Sequence, residues 1–302
     1  MDQSRVRGAG HTRSMAPTTP PAPDPAFETA FVLGGGGHLG AYEVGMLRAL
    51  LAAGIKPDLV LGTSVGAING SVLAADPSSA SVARLEELWG GLSSGGVFEG
   101  SLLTRLGTAA RSRTHLYSNA TLRRMLEADL PVGRIEELAV PFQCVAASIE
   151  RAAEHWFSRG PLVEAVLASC AVPGLLPPVA VDGEHYLDGG LVNSVPVGRA
   201  IALGARTIYV LHVGRLEQPL RPPRLPWEVA AVAFEIARRH RFARDMADLP
   251  DGITVHLMPT GIESADGGSW QQYVRYRSFS DTRNRIERAY IASSAYLGLA
   301  AP

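Results

Sequence analysis

The sequence predicts an α/β fold: a single three-layer α/β/α domain with a mostly parallel central sheet. Two short apolar segments, Thr29–Leu33 and Leu59–Leu61, each lead through a glycine-containing turn into a helical pattern. A third apolar segment, Arg206–Val213, has the length and composition of a buried strand. Strands that alternate with helices are typical of parallel sheets, because the helix carries the chain back across the sheet.

The first strand, Thr29–Leu33, is followed by a helix over about 40–53, where Val44, Leu47 and Leu50 share one face and Gly54 ends the pattern. The second strand turns sharply into a helix of small residues. Residues 76–135 are predicted to be helical and rich in loops. The remaining predicted strands are Phe142–Ser148, His155–Phe157, Tyr186–Leu187, Arg206–Val213 and Ile253–Leu257, and the remaining helices are Leu162–Ser169, Trp227–Met246 and Asp281–Ala295.

The chain divides into a tail and one domain. Its 302 residues are enough for one large domain with a buried core. Residues 1–26 are rich in Pro, Ala, Thr and Arg and are expected to be disordered. The domain covers 27–302, with a core that carries the motifs over 31–213 and a helical C-terminal part over 214–302.

The net charge, the cysteines and the N-terminal residues exclude some classes of function. The formal net charge of −1 gives no electrostatic footprint for nucleic acid, so no nucleic-acid partner is expected. The two cysteines, Cys144 and Cys170, lie in apolar segments and are interpreted as reduced core thiols. The first 27 residues contain no apolar segment typical of a signal peptide, so a cytoplasmic protein is expected, with peripheral membrane association left open.

The turn after the second strand carries the clearest chemical signal. Gly62-Thr63-Ser64-Val65-Gly66 fits the G-x-S-x-G pattern of a nucleophile on a tight strand-to-helix turn. Such a turn needs small neighbours, represented here by Gly62 and Gly66, and it presents the serine hydroxyl at a helix N-terminus. An ordinary strand-to-helix turn is the alternative, but the strand before and the helix after favour a nucleophilic Ser64.

The glycine run Gly34–Gly37 has three interpretations. Consecutive glycines can turn their N–H groups toward a developing oxyanion. Gly35, Gly37 and Gly40 also fit the G-x-G-x-x-G pattern of a dinucleotide loop, but that fold needs an acidic residue at the end of the second strand, where Ser64 stands. A plain turn is the third interpretation. The oxyanion hole is favoured.

Ser64 needs a proton acceptor. His212 and His256 stand where a Ser–acid–His order could place a triad histidine, although neither lies in a glycine-framed loop. Asp188 lies where a short strand meets Gly189 and Gly190, a position that exposes a carboxylate but is equally common for a simple turn residue. The motif alone leaves both readings of Asp188 open.

Taken together, four segments resemble the patatin-like phospholipase family, in the family's order. They are the glycine loop Gly34–Tyr42, the turn Gly62–Asn69, the proline-rich segment Ser169–Pro178 and the Asp-Gly-Gly segment Tyr186–Val197. The resemblance covers about Phe31 to Val213.

The resemblance implies a Ser64–Asp188 dyad that needs no histidine. It implies that Gly35, Gly36 and Gly37 donate to the oxyanion and that the substrate is a lipid acyl ester: a phospholipid, a lysophospholipid or an acylglycerol. It implies no metal and no organic cofactor. One departure is that Leu39 stands where the family usually has a basic residue, with His38 beside it. Two alternatives therefore stay open: a lipid-binding or regulatory protein with a weakened site, and a hydrolase of soluble esters or thioesters.

The predicted helix Trp227–Met246 carries Arg238, Arg239, Arg241 and Arg244 after several apolar residues. A basic amphipathic helix can lie on an anionic membrane. A solvated basic face over an apolar core is the commoner arrangement, and it is the one favoured here.

Overall fold

The computed structural model describes residues 26–94, 114–213, 219–220, 222–223, 225–262 and 281–299. Its centre is an eight-stranded sheet in the order β5-β6-β3-β2-β1-β7-β8, with β4 on β3. The strands are β1 (Phe27–Leu33), β2 (Leu59–Thr63), β3 (Phe142–Ser148), β4 (Ala153–Phe157), β5 (Val179–Val181), β6 (Glu184–Asp188), β7 (Ala205–Leu211) and β8 (Thr254–Leu257). The pairs around β1 and β2, and the pair β7 and β8, are parallel. The predicted mostly parallel α/β sheet is confirmed.

One edge of β3 is shared by two strands. β2 pairs with residues 142–145 and β6 with residues 146–148. β4 pairs with residues 144–148, so it must occupy the opposite edge from both. β2 and β6 therefore meet end to end along one side of β3, with Thr63 opposite Val145 and Asp188 opposite Ala146.

Helices cover both faces of the sheet. They are α1 (Ala41–Ala52), α2 (Val65–Ala75), α3 (Ser79–Ser94), α4 (Ala120–Asp129), α5 (Leu162–Ser169), α6 (Val197–Ala202), α7 (Pro226–Ala247) and α8 (Thr282–Tyr296). Alternate residues of β1 serve two cores, since Phe31 and Leu33 pack with α1 to α5 whereas Ala30 and Val32 pack with α6 and α7. This alternation makes the three layers.

Helices α1 and α8 approach each other closely at Gly45. A β-carbon at Gly45 would lie 2.1 Å from the carbonyl oxygen of Ile286 and 2.8 Å from the amide nitrogen of Tyr290. Both contacts are to backbone, so only glycine lets the two helices pack at this distance.

The predicted helices and strands are found close to their expected bounds, and the short strand β5 was not predicted. The loop-rich region contains α3 and α4, while residues 95–113 at its centre lie outside the described residues. Residues 1–25 of the expected disordered tail also lie outside them, so the division into a tail and one domain stays a prediction. In the described part of the chain, none of the helices has both the length and the apolar character needed to cross a membrane.

The structure corrects the expected orientation of α7. Arg238 is buried with 3% of its side chain exposed, and Arg239 and Arg241 are half-buried. The side chains of Glu235 and Asp245, 12% and 9% exposed, pair with these arginines on the inner side of the helix. The arginine cluster is therefore mostly turned toward the domain, and of these four arginines only Arg244 is exposed.

Candidate active site

Ser64 lies at the junction of β2 and α2 in a strained conformation. Its φ of 54° and ψ of −122° fall in a region that residues with a β-carbon rarely adopt. The turn closes tightly, because a β-carbon at Gly62 would lie 2.5 Å from the carbonyl oxygen of Gly66, and one at Gly66 would lie 2.3 Å from that of Leu33. Both glycines are thus required by backbone contact, as the G-x-S-x-G pattern predicts.

The hydroxyl of Ser64 donates to Oδ2 of Asp188 over 2.6 Å. The other carboxylate oxygen, Oδ1, accepts the amide of Gly190 at 2.7 Å. The two side chains meet because β2 and β6 end against consecutive residues of β3, which brings the end of one strand to the end of the other. Ser64 is 8% exposed and Asp188 2% exposed, so the pair is nearly shielded from water.

Burial changes the acid strength of this pair. Desolvation raises the pKa of Asp188 to about 6, although hydrogen bonds from Ser64 and Gly190 and the positive charge of Arg238 oppose the rise. A carboxylate with this pKa is ionised at neutral pH and is a stronger base than an ordinary aspartate. At neutral pH the ionised form of Asp188 therefore predominates beside the hydroxyl of Ser64.

The candidate histidines of a triad are engaged elsewhere. The ring of His212 stacks on Phe242, with centroids 6.0 Å apart. The ring of His256 stacks on Tyr209 and its Nδ1 lies 3.0 Å from the hydroxyl of Tyr296. Of the candidate partners of Ser64, the structure places Asp188 in hydrogen-bond contact with the serine hydroxyl.

The C-terminal end of α5 holds the backbone of Ser64 in place. The backbone N–H of Ser64 donates to Oγ of Ser169 at 2.8 Å, and Ser169 is fully buried. Next to it, the thiol of Cys170 is close to the hydroxyl of Ser64, and burial together with the charge of Asp188 raises the pKa of this thiol well above its usual value. Both cysteines are buried and unpaired, as predicted.

The glycine loop lies beside Ser64, but its donor set differs from the expected one. The amide of Gly35 donates to the carbonyl of Ser194 at 2.9 Å, and that of Gly34 donates to Leu211 at 3.0 Å. These backbone bonds hold the loop on the sheet and occupy the Gly35 N–H, which corrects the expectation that Gly35 donates to an oxyanion. Gly36 and Gly37 follow it, and Gly37 is exposed with a φ of 57°.

A buried polar network supports the loop from behind. The side-chain amide of Asn69 donates to the carbonyl of Gly40 at 3.0 Å and to Oε2 of Glu43 at 2.7 Å, and Trp89 donates to Oδ1 of Asn69 at 2.9 Å. Desolvation raises the pKa of Glu43 well above its usual value, and the Asn69 bond opposes that rise. The network ties α1, α2 and α3 to the end of the loop.

Two further polar side chains near the dyad were not predicted. The hydroxyl of Ser194 would lie 3.2 Å from a β-carbon at Gly35, which in turn would be 3.5 Å from Cβ of Ser64. Arg238 lies on α7, which packs against the turn Gly189–Leu191. Its positive charge opposes the rise in the pKa of both Asp188 and Glu43. Both Ser194 and Arg238 lie in segments that the sequence singles out, but only the packing of distant segments shows that they lie near the dyad.

The fold and this site define a class of protein: an α/β domain whose serine, on a strained strand-to-helix turn, contacts a buried aspartate beside a glycine loop. The sequence model of the patatin-like phospholipase family matches residues 31–201. The chain belongs to that family.

Curated relatives match part of this chain. Patatin-like phospholipase domain-containing protein ZK370.4 of Caenorhabditis elegans is 34% identical over 190 residues, which is 62% of this chain and 14% of that protein. Lysophospholipase nte1 of Aspergillus terreus is 30% identical over 187 residues, 62% of this chain and 12% of that protein. The chain thus matches about one seventh or less of each relative. The crystal structure of VipD from Legionella pneumophila aligns with a TM-score of 0.40 and 14% identity, covering 91% of this chain and 67% of VipD.

Proposed function

We propose that this chain is a serine acyl hydrolase that cleaves lipid acyl esters with Ser64 as nucleophile and Asp188 as general base. The observation that carries the proposal is the 2.6 Å hydrogen bond from Ser64 Oγ to Asp188 Oδ2 within a strained nucleophile turn. A hydroxyl held at this distance from a buried carboxylate is poised to lose its proton as it attacks.

In the acylation step, Ser64 Oγ attacks the ester carbonyl carbon while its proton passes to Asp188 Oδ2. The carbonyl oxygen gains the negative charge of the tetrahedral intermediate, and the amides of Gly36 and Gly37 stabilise that charge. The intermediate then collapses. The bond to the leaving oxygen breaks as Asp188 returns the proton to that oxygen, so an alcohol departs and an acyl group remains on Ser64.

In the deacylation step, Asp188 accepts a proton from a water molecule that attacks the acyl carbonyl. Collapse of the second intermediate releases the fatty acid and returns the proton to Ser64 Oγ. One group therefore acts as base and then as acid in each half of the cycle, which a pKa of about 6 permits near neutral pH.

Family membership supports a lipid ester as the substrate. One matched relative carries the name lysophospholipase. We propose a phospholipid, a lysophospholipid or an acylglycerol as the substrate, met at a lipid surface through peripheral contact. The bond that is hydrolysed is a carboxylic ester in all three, so the same attack by Ser64 applies to each of them.

Hydrolysis of p-nitrophenyl esters with short and long acyl chains tests the proposal. Ser64→Ala and Asp188→Asn are expected to lower kcat by at least about a thousandfold, as loss of a nucleophile or its base does in serine hydrolases. His212→Ala and His256→Ala serve as matched controls and are expected to retain near wild-type rates. An equal loss in His212→Ala would contradict the dyad. Rates that rise with acyl length and at micelle formation distinguish a lipase from a hydrolase of soluble esters.

Leu39 favours the second candidate, a lipid-binding protein with a weakened site. Its side chain is half-buried and packs on the main core, where it offers no charge to a substrate. Because Gly36 and Gly37 would donate through their backbone, the hydrolase does not depend on a basic residue there. Covalent labelling of Ser64 by a fluorophosphonate is expected for the hydrolase, and failure to label would favour the binding protein.

A further inference from the structure

The outer face of α7 is apolar, which is the reverse of the usual polarity of a surface helix. Val229 and Ile236 are 54% and 55% exposed, and Leu225, just before the helix, is 41% exposed. The exposed positions of this face are Leu225, Val229, Ala233, Ile236, Ala237, His240, Ala243, Arg244 and Ala247. At 3.6 residues per turn these positions share about one third of the helix circumference. We call this set the outer face of α7.

Four charged side chains of the same helix pair with one another on its inner side. Arg239 Nε lies 2.9 Å from Glu235 Oε1, and Arg241 Nε lies 3.2 Å from Asp245 Oδ1. The outer face keeps only His240 and Arg244 as ionisable groups, so any charge that it carries is positive. Aliphatic side chains grouped in this way on a monomer mark an interaction surface.

The position of the helix connects this face to the catalytic site. α7 packs against the turn Gly189–Leu191, which directly follows Asp188. Phe242 stacks on His212 next to the glycine loop, and Arg241 Nη2 lies 3.8 Å from Glu154, which accepts a bond from Asn193. A surface bound to the outer face of α7 is thus held at a fixed place relative to Ser64.

We propose that the outer face of α7 docks on an anionic lipid surface, with its aliphatic side chains in the interface and Arg244 at the headgroups. The proposal rests on the function proposed above, in which the substrate is a lipid. Positive charge on an apolar helix face matches anionic lipid. A second copy of the same face is a poorer match, because Arg244 and His240 of one copy would then lie near the same residues of the other.

Vesicle sedimentation tests the proposal. We expect the full chain to bind vesicles of phosphatidylglycerol and phosphatidylcholine more tightly than vesicles of phosphatidylcholine alone. The double variant Val229→Asp, Ile236→Asp is expected to bind at least about tenfold more weakly. It loses the two aliphatic side chains that the bound helix would bury in the lipid. The matched control is Ile291→Asp on α8, a residue 50% exposed on another helix, which is expected to bind like wild type.

Turnover of p-nitrophenyl acetate separates docking from chemistry, because this soluble ester needs no interface. The double variant is expected to keep wild-type turnover of it, which also shows that the variant is folded, while losing hydrolysis of vesicle lipid. If wild type hydrolyses no ester but binds vesicles through Val229 and Ile236, the hydrolase proposal fails and the docking proposal stands. Equal vesicle binding by wild type and the double variant would overturn docking. So would a wild-type dimer that the double variant converts to a monomer in light scattering.

Discussion

The backbone N–H of Ser64 is bound by the hydroxyl of Ser169, 2.8 Å away, from a segment 105 positions later in the chain. This bond fixes the main chain of a residue whose φ of 54° is strained. Proximity and orientation of a nucleophile depend on such fixation, because small displacements of the attacking atom slow the reaction strongly. Ser169 is therefore a positioning residue for the proposed nucleophile.

We expect Ser169→Ala to lower kcat for a soluble ester about tenfold and the free energy of unfolding by about 1–3 kcal/mol, because a buried N–H loses its acceptor. The matched control is Ser71→Ala, another fully buried serine, whose hydroxyl donates to Ile68 inside α2. It should lose stability without a specific loss of kcat. Equal kcat in the two variants, measured at a temperature where both are folded, would refute the positioning role.

The pH dependence of hydrolysis follows from Asp188. Only the ionised carboxylate accepts the proton of Ser64, and its pKa is raised to about 6 by burial. We expect kcat/KM to rise with pH through a midpoint near 6 and to level off above neutrality. A pH–rate profile with a soluble ester measures this. A midpoint near the ordinary aspartate value would mean that the site is wetter than the structure indicates.

Asp188→Asn is expected to stabilise the fold while it abolishes catalysis. A pKa that is higher in the folded state than in the unfolded state means that Asp188 contributes more stability below pH 4 than above pH 6, since ionisation of the buried group is costly. At about 1.4 kcal/mol per pKa unit, the neutral amide avoids a cost of roughly 2–3 kcal/mol at pH 8. Thermal unfolding at pH 8 and at pH 4 measures it, and the gain should shrink at the lower pH.

The charge of Arg238 is expected to hold the midpoint of the rate profile down. Its guanidinium is buried, and its positive charge favours the ionised form of Asp188. Replacement by methionine, of similar length without charge, should raise the midpoint by roughly half to one pH unit. Arg239→Met is the control, since Arg239 binds Glu235 and, unlike Arg238, is not among the charges that lower the pKa of Asp188. Identical profiles for the two variants would show that the charge of Arg238 does not reach the dyad.

Gly66→Ala is expected to disrupt the nucleophile turn. The new methyl group would lie 2.3 Å from the carbonyl oxygen of Leu33 and 2.5 Å from its carbonyl carbon, and backbone atoms cannot move aside as a side chain can. We expect a loss of several kcal/mol in the free energy of unfolding, as for other overpacked core positions. Gly90→Ala in α3 meets nothing within 4 Å and should gain up to about 1 kcal/mol from helix propensity. Urea unfolding of both variants checks the contrast.

The sequence was informative where a local rule acts. The tight turn at Ser64 could be predicted because it requires glycine on both sides. Strands β1, β2 and β7 could be predicted because buried strands need apolar runs. Asp188 alone was ambiguous, since Asp-Gly-Gly suits any turn, and its contact with Ser64 depends on the register of both strands along β3. Ser169 and the occupied Gly35 amide were missed because their partners lie far along the chain. The inward arginines of α7 were missed because periodicity does not show which face carries paired charges.

The close packing of α1 on α8 at Gly45 constrains when the domain can be completed during synthesis. The helix that packs on Gly45 is translated about 240 residues later, which takes roughly 12–50 seconds at typical elongation rates of about 5–20 residues per second. During that interval α1 lacks the helix that packs on it in the folded domain. Likewise, β1 cannot pair with β7 until residues 205–211 have been synthesised, which is after both Ser64 and Asp188. Apolar surface of α1 and β1 is therefore exposed to aggregation until α8 and β7 have been synthesised.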